Sequence, residues 1–211
     1  MSRTRIKICG LTDETGVLAA ADAGADAVGF VFVESSPRAI VPEAAWQIAA
    51  SLPPMVTTVG LTVDLDLDAF AEIESRCPTM LSQLHGDEPD EVVQALGSDI
   101  VKAIQYDPAT IASRLAHYDA MPEVCAILVD GSAGGEGTSF DWAGLANATA
   151  GITTPIWLAG GLTPDNVGDA IRAVRPYAVD VSSGVERERG VKDPSLIHEF
   201  CRAVREADRS L

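Results

Sequence analysis

The chain has 211 residues, 47% of them hydrophobic, with 31 Asp and Glu against 15 Lys and Arg and a formal charge of -16. That is enough chain for one packed core and short for two, too apolar for a disordered tail, and too acidic to favour nucleic acid or an anionic membrane as partner. Lysines are only three, Lys7, Lys102 and Lys192, and this acidic, alanine-rich, lysine-poor composition points to a halophilic, salt-rich cytosol where like-charge repulsion is screened.

Short apolar runs alternate with amphipathic stretches along the whole length. The first strand is expected over 5–10, "RIKICG", and places Lys7 and Cys9 on one face because they are two residues apart. Thr12-Asp13-Glu14 opens a helix that stops at Gly24. A second strand is expected over 27–32 and a helix from Pro42 and Glu43; a third strand over 55–63; a fourth over 79–86, followed by a helix opening at Pro89. The fifth strand spans 99–105 with a helix from Pro108, and the sixth 124–131. The seventh, 155–161, leads to a helix from Pro164-Asp165; the eighth, 178–184, precedes a last helix opened by Pro194, whose Leu196, Ile197, Phe200, Cys201 and Val204 form one apolar stripe.

Eight βα pairs in this length predict an α/β chain folded as one (β/α)8 TIM barrel domain over 1–211. A doubly wound sheet would carry a G-x-G-x-x-G loop after the first strand, and "CGLTDETG" lacks it. The four cysteines, at 9, 77, 125 and 201, have no zinc or dithiol spacing. No signal peptide or bilayer-length apolar segment is seen, so a cytoplasmic protein with reduced thiols is expected. Cys77, Cys125 and Cys201 read as packed core thiols. No metal is expected.

In a barrel the C-terminal strand ends converge on one mouth, where the site is built. Gly160 and Gly161 stand at the seventh end, and Ser182, Ser183 and Gly184 at the eighth. Glycines let backbone approach a ligand, and N–H and hydroxyl groups donate to phosphate, so these two ends are read as a phosphate site. Asp180 orients a sugar hydroxyl or serves as a structural acceptor. Asp130 ends the apolar sixth strand, where it is a buried structural acceptor or, since partial burial favours the protonated form, holds a proton for delivery. The following loop, "GSAGGEGTSFDW", reads as a mobile cover over the site or as a floppy surface loop. Cys9 faces the mouth from the first strand, but an ordinary thiol is only a few per cent ionised at neutral pH and needs help to act as a base; Lys7 is a candidate helper. Arg38 holds a carboxylate with its planar fork or lies on the surface. His85 is a mouth-lining donor or a structural histidine; His117 and His198 fall on helices and carry no site argument.

Together "KICGLT", "GADAVGFVF", "SPR", "SQLHG", "GGEGTSFDW", "LAGGLTPDNV" and "VDVSSGVE", in order from residue 6 to about 194, resemble the phosphoribosylanthranilate isomerase family of tryptophan biosynthesis. The resemblance implies an Amadori rearrangement of N-(5-phosphoribosyl)anthranilate to the aminodeoxyribulose phosphate. It implies Cys9 as general base at sugar C2, Asp130 as general acid at the ring oxygen, and Arg38 on the anthranilate carboxylate. The resemblance implies no cofactor; the partner is then a small phosphorylated sugar–anthranilate, with the enzyme a monomer or homodimer. Two positions depart from the family's pattern: Thr138 where the mobile loop often has Lys, and Glu136 where a small residue is usual; both weaken attraction for an anion. The rivals are a histidine-pathway barrel isomerase, which looks to use a carboxylate where Cys9 stands, the indole-forming barrel enzyme, which needs a catalytic lysine such as Lys7 or Lys102, and a non-catalytic phosphate-sugar sensor.

Overall fold

The structure, a computed structural model, describes residues 3–131 and 141–211. Eight parallel strands close into a barrel in sequence order: β1 (Arg5–Cys9), β2 (Ala27–Val31), β3 (Thr57–Thr62), β4 (Leu81–Leu84), β5 (Ile100–Gln105), β6 (Val124–Asp130), β7 (Ile156–Ala159) and β8 (Ala178–Val181). The helices α1 (Glu14–Asp22), α2 (Pro42–Ala49), α3 (Leu67–Arg76), α4 (Asp90–Leu96), α5 (Ile111–Asp119), α6 (Trp142–Ala148), α7 (Val167–Val174) and α8 (Pro194–Arg209) follow the strands one by one. The (β/α)8 expectation is met. A short hairpin, β9 (Glu186–Glu188) with β10 (Val191–Lys192), sits between β8 and α8.

Local sequence explains the starts of the helices. Asp13, Asp66, Asp141 and Asp193 each accept a hydrogen bond from a backbone N–H in the first turn, and Pro42 and Pro194 occupy positions that need no donor. Three helices begin later than proline suggests. Pro89 is the cap of α4 rather than its first residue. Asp107–Thr110 forms a turn before α5, closed by Ile111 N to Asp107 O at 2.8 Å. The Pro164-Asp165 stretch is a turn held by Asn166, whose Oδ1 accepts from Thr163 N and whose Nδ2 donates to Gly161 O, both at 2.8 Å.

The pleat sorts the strand residues into two cores. Ile6, Ile8, Val28, Phe30, Ile127, Val129, Leu158, Val179 and Val181 face the helices and form the larger core. Their alternates Ala27, Val59, Val101, Ala103, Ala126, Leu128, Trp157, Ala159 and Ala178 fill the barrel interior. Small residues dominate this inner set because Trp157, Lys7 and Gln83 occupy the same narrow space. Burying these side chains supplies the main driving force, about 25 cal/mol per Å² of apolar surface removed from water.

Cys77 and Cys201 are buried as expected, but Cys125 is exposed, which corrects its reading as a core thiol. Pairing of β5 with β6 slips from Ile100↔Val124 to Val101↔Ala126, so Cys125 is the extra residue of a bulge and turns outward. No helix among the described residues is long and apolar enough to cross a membrane.

Candidate active site

Most expected strands run past the observed ones, and the overhang is informative. Residues 32, 63, 85–86, 131, 160–161 and 182–184 leave the sheet as the mouth loops. There they surround a cavity of about 430 Å³. Cys9, Arg38, His85, Asp130, Gly160, Gly161, Asp180, Ser182 and Ser183 all line it; of the expected site residues only Gly184 does not.

Cys9 projects from β1 against β2, and Gly29 makes the room. A Cβ on Gly29 would stand 2.8 Å from the Cys9 Sγ and 3.0 Å from the Lys7 Cε. Burial pushes the Cys9 thiol up from its ordinary range; the Lys7 and Lys192 ammonium groups pull it down, and the Asp180 carboxylate opposes them. Lys7 lies just below the thiol and is buried. Burial disfavours its charge, but Asp180 and Cys9 outweigh this and its pKa rises, so it stays an ammonium. Its Nζ is 3.0 Å from Asp180 Oδ2 and donates to Gln83 Oε1 at 2.8 Å. Asp180 Oδ1 is buried and accepts no hydrogen bond from the described residues. An orphaned buried acceptor costs about 1–3 kcal/mol, a debt that a ligand hydroxyl would relieve.

Asp130 enters the same space from β6, three strands around the ring from Cys9. His85 stands beside it, with Nε2 3.4 Å from Asp130 Oδ2. His85 Nδ1 lies 2.8 Å from Gln83 Nε2.

The cavity lining is partly apolar and partly backbone. Val31, Val33, Leu61 and Val63, from the ends of β2 and β3, form an apolar wall. Arg38 is not loose on the surface. Its Nε and Nη2 donate to the two oxygens of Glu186 at 2.6 and 2.9 Å, and its stem packs on Gly10, where φ is +75° and a Cβ would come within 2.6 Å of Arg38 Cδ. Gly160 and Gly161 both have positive φ, the left-handed region that favours glycine. Gly184 faces them from the loop after β8 without lining the cavity. A Cβ there would lie 1.8 Å from the carbonyl oxygen of Leu162, so only glycine lets the two loops meet. The Ser182 hydroxyl is already engaged: it donates to the Cys9 carbonyl oxygen at 3.1 Å and accepts from Lys192 at the same distance. Ser183 is exposed at the rim.

Sequence reasoning missed Glu186, Lys192 and Gln83. Glu186 accepts from Arg38, from Lys192 at 2.7 Å and from Gly190 N at 3.1 Å. Burial works against its charge, but these donors win and hold its carboxyl down at about 2. The available signal was "VERERGVK", a charged run broken by glycine that forms the β9–β10 hairpin. Gln83 was readable only as part of "SQLHG". The lysines of the indole-forming rival are placed elsewhere. Lys7 and Lys102 do not line the cavity, and Lys102 points outward from β5 to Glu88 at 2.8 Å and to the carbonyls of Leu84 and Gly86. The loop positions Glu136 and Thr138 lie outside the described residues. No group of three or more metal-ligating side chains gathers among the described residues.

Known proteins resemble this chain along nearly its whole length. Residues 6–203 match the family described as N-(5'-phosphoribosyl)anthranilate (PRA) isomerase. A protein of Moorella thermoacetica named N-(5'-phosphoribosyl)anthranilate isomerase is 48% identical over 205 residues, covering 97% of this chain and 91% of that one. The crystal structure of the phosphoribosyl anthranilate isomerase of Thermotoga maritima superposes with a TM-score of 0.87 at 37% identity, covering 96% of this chain and 99% of that one. A further crystal structure of such an isomerase, in complex with reduced 1-(o-carboxyphenylamino)-1-deoxyribulose 5-phosphate, has a TM-score of 0.85 at 36% identity, with the same coverage.

Proposed function

The chain belongs to the N-(5'-phosphoribosyl)anthranilate isomerase family, isomerases of tryptophan biosynthesis, and on that premise we propose that Cys9 is its general base and Asp130 its general acid. The observation that carries this reading is the shared cavity: a thiol and a carboxyl from non-adjacent strands line one space together with the apolar ends of β2 and β3, the Arg38 side chain and the glycines after β7. That lining matches an aromatic carboxylate, a sugar and a phosphate. The anthranilate ring lies on Val31, Val33, Leu61 and Val63 with its carboxylate toward Arg38. The phosphate takes the backbone of Gly160 and Gly161 and the Ser183 side of the β8 loop. The sugar lies between, with a hydroxyl donating to Asp180 Oδ1.

Asp130 gives its proton to the furanose ring oxygen. The C1–O bond breaks, the anthranilate nitrogen supplies its lone pair, and a protonated Schiff base forms. Cys9 then takes the proton from C2, the C–H electrons flow toward the iminium, and the resulting enol-amine relaxes to the amino-ketone. Burial keeps the Cys9 thiol neutral before substrate binds, and the iminium cation adds to Lys7 in favouring the thiolate. Each proton transfer supplies about 10²–10⁴-fold in rate.

The test supplies phosphoribosylanthranilate and the aminoimidazole substrate of the histidine-pathway isomerase separately. Turnover of the first is expected, with Cys9→Ala and Asp130→Asn each lowering kcat by about 10² or more while the fold persists. Turnover of only the second, binding without turnover, or full activity in either variant would overturn the assignment.

A further inference from the structure

His85 sits between Asp130 and the buried polar chain of Gln83, Lys7 and Asp180. Its ring orientation follows from donor and acceptor counts. Lys7 is an ammonium, which donates only, and its Nζ lies 2.8 Å from Gln83. That end of the amide must therefore be the carbonyl oxygen, and the amide N–H2 must point the other way, to His85 Nδ1 at 2.8 Å. An amide nitrogen only donates, so Nδ1 must accept and carries no proton. The single proton of the neutral ring then sits on Nε2, the atom 3.4 Å from Asp130 Oδ2. The spacing is long for a hydrogen bond, as catalytic contacts often are before substrate closes the site.

The surroundings hold this arrangement firmly. Gln83 is fully buried and cannot turn its amide toward water. Lys7 is kept charged and in place by Asp180. On the outer side of the barrel Lys102 donates to the carbonyls of Leu84 and Gly86, the residues flanking His85, while pairing with Glu88. The backbone carrying His85 is thus pinned on both sides, and the ring is left with one tautomer.

We infer that Gln83 is a positioning residue of the reaction: by fixing His85 as the Nε2–H tautomer it aims a hydrogen-bond donor at Asp130. The inference rests on the assignment of Asp130 as the acid. A neutral donor stabilises the carboxylate that remains after Asp130 has given up its proton, and it orients the carboxyl toward the ring oxygen. An imidazole in the opposite tautomer would present a lone pair to Asp130 and would compete for the proton that the sugar needs.

The experiment is long-range ¹H–¹⁵N correlation of the histidine rings in the wild-type protein at mildly alkaline pH, with the His85 signals assigned by their loss in His85→Asn. An unprotonated Nδ1 and a protonated Nε2 are expected at His85, whereas the exposed His198 should show the free-solution mixture; His117, whose Nε2 lies 3.0 Å from Asp90 Oδ1, offers no such reference. In Gln83→Glu both carboxylate oxygens accept, so the proton is expected on Nδ1. There kcat should fall at least ~10-fold and by no more than the about 10²–10⁴-fold that acid catalysis supplies, with KM within about twofold. Protonated Nδ1 in the wild type, or Gln83→Glu with unchanged kcat, would overturn the inference. A protonated Nδ1 in the wild-type spectrum overturns it even if the variant does not fold. Because the spectrum needs no turnover, its failure is distinguishable from failure of the assigned reaction.

Discussion

Replacing Glu186 by Gln keeps the shape of the side chain and removes its charge. The carboxylate is nearly buried, with 4% of its side-chain surface exposed, and it joins two cations, Arg38 and Lys192. Its carboxyl is held at about 2 against an ordinary 4.5. At 1.36 kcal/mol per pKa unit this difference corresponds to about 3 kcal/mol of stability. Lys192 is pulled the other way, since burial outweighs its pairing and lowers its pKa. Part of the gain at Glu186 is offset by the desolvation of Lys192, so we take about 2 kcal/mol as the expected loss in Glu186→Gln at pH 7. The sign follows from the depressed folded pKa. The contribution is complete above the unfolded value near 4.5 and disappears as pH falls through about 2. Urea unfolding of the two proteins should therefore show a constant gap above pH 5 that narrows steadily below pH 4.5. A gap under about 0.5 kcal/mol at pH 7, or one that stays constant down to pH 3, would refute the argument. The same variant frees the Arg38 fork from its only paired carboxylate among the described residues, so KM should rise more than kcat falls.

Three further outcomes are expected. Gly184→Ala drives a Cβ to 1.8 Å from the Leu162 carbonyl oxygen, which costs about 1–3 kcal/mol by overpacking and separates the two loops assigned to phosphate; thermal unfolding and inhibition by inorganic phosphate measure both effects. Among four cysteines only Cys125 is exposed, so a thiol reagent should modify it first, and Cys125→Ser should abolish the fast phase while leaving a slow one that accelerates at alkaline pH as the buried thiols, raised by burial, begin to ionise. For a chain of charge -16 acting on an anion, salt that shortens the screening length from about 10 Å at 0.1 M to about 3 Å at 1 M should raise the unfolding temperature and lower KM; a KM that climbs steeply with salt would show that local attraction by Arg38 dominates.

The strand-and-helix alternation, the barrel and most of the mouth were legible in the sequence, because each depends on short-range pattern: β-branched runs, Asp and Pro at helix starts, glycines and polar residues where strands end. Cys9, Asp130, Arg38 and the glycine-bearing ends could be picked out one at a time, each being an unusual residue at the end of an apolar run. What residue spacing could not supply is which polar groups meet across the ring. Gln83 looks like any strand glutamine until β1 brings Lys7 against it, and Glu186 looks like a solvated charge until the hairpin folds it under Arg38. Cys125 reads as core because the bulge that turns it outward belongs to the pairing of β5 with β6. Local sequence determines which elements form and where they stop; hydrogen-bond direction, ion pairing and register depend on atoms supplied by distant strands, and only closure of the barrel brings those atoms together.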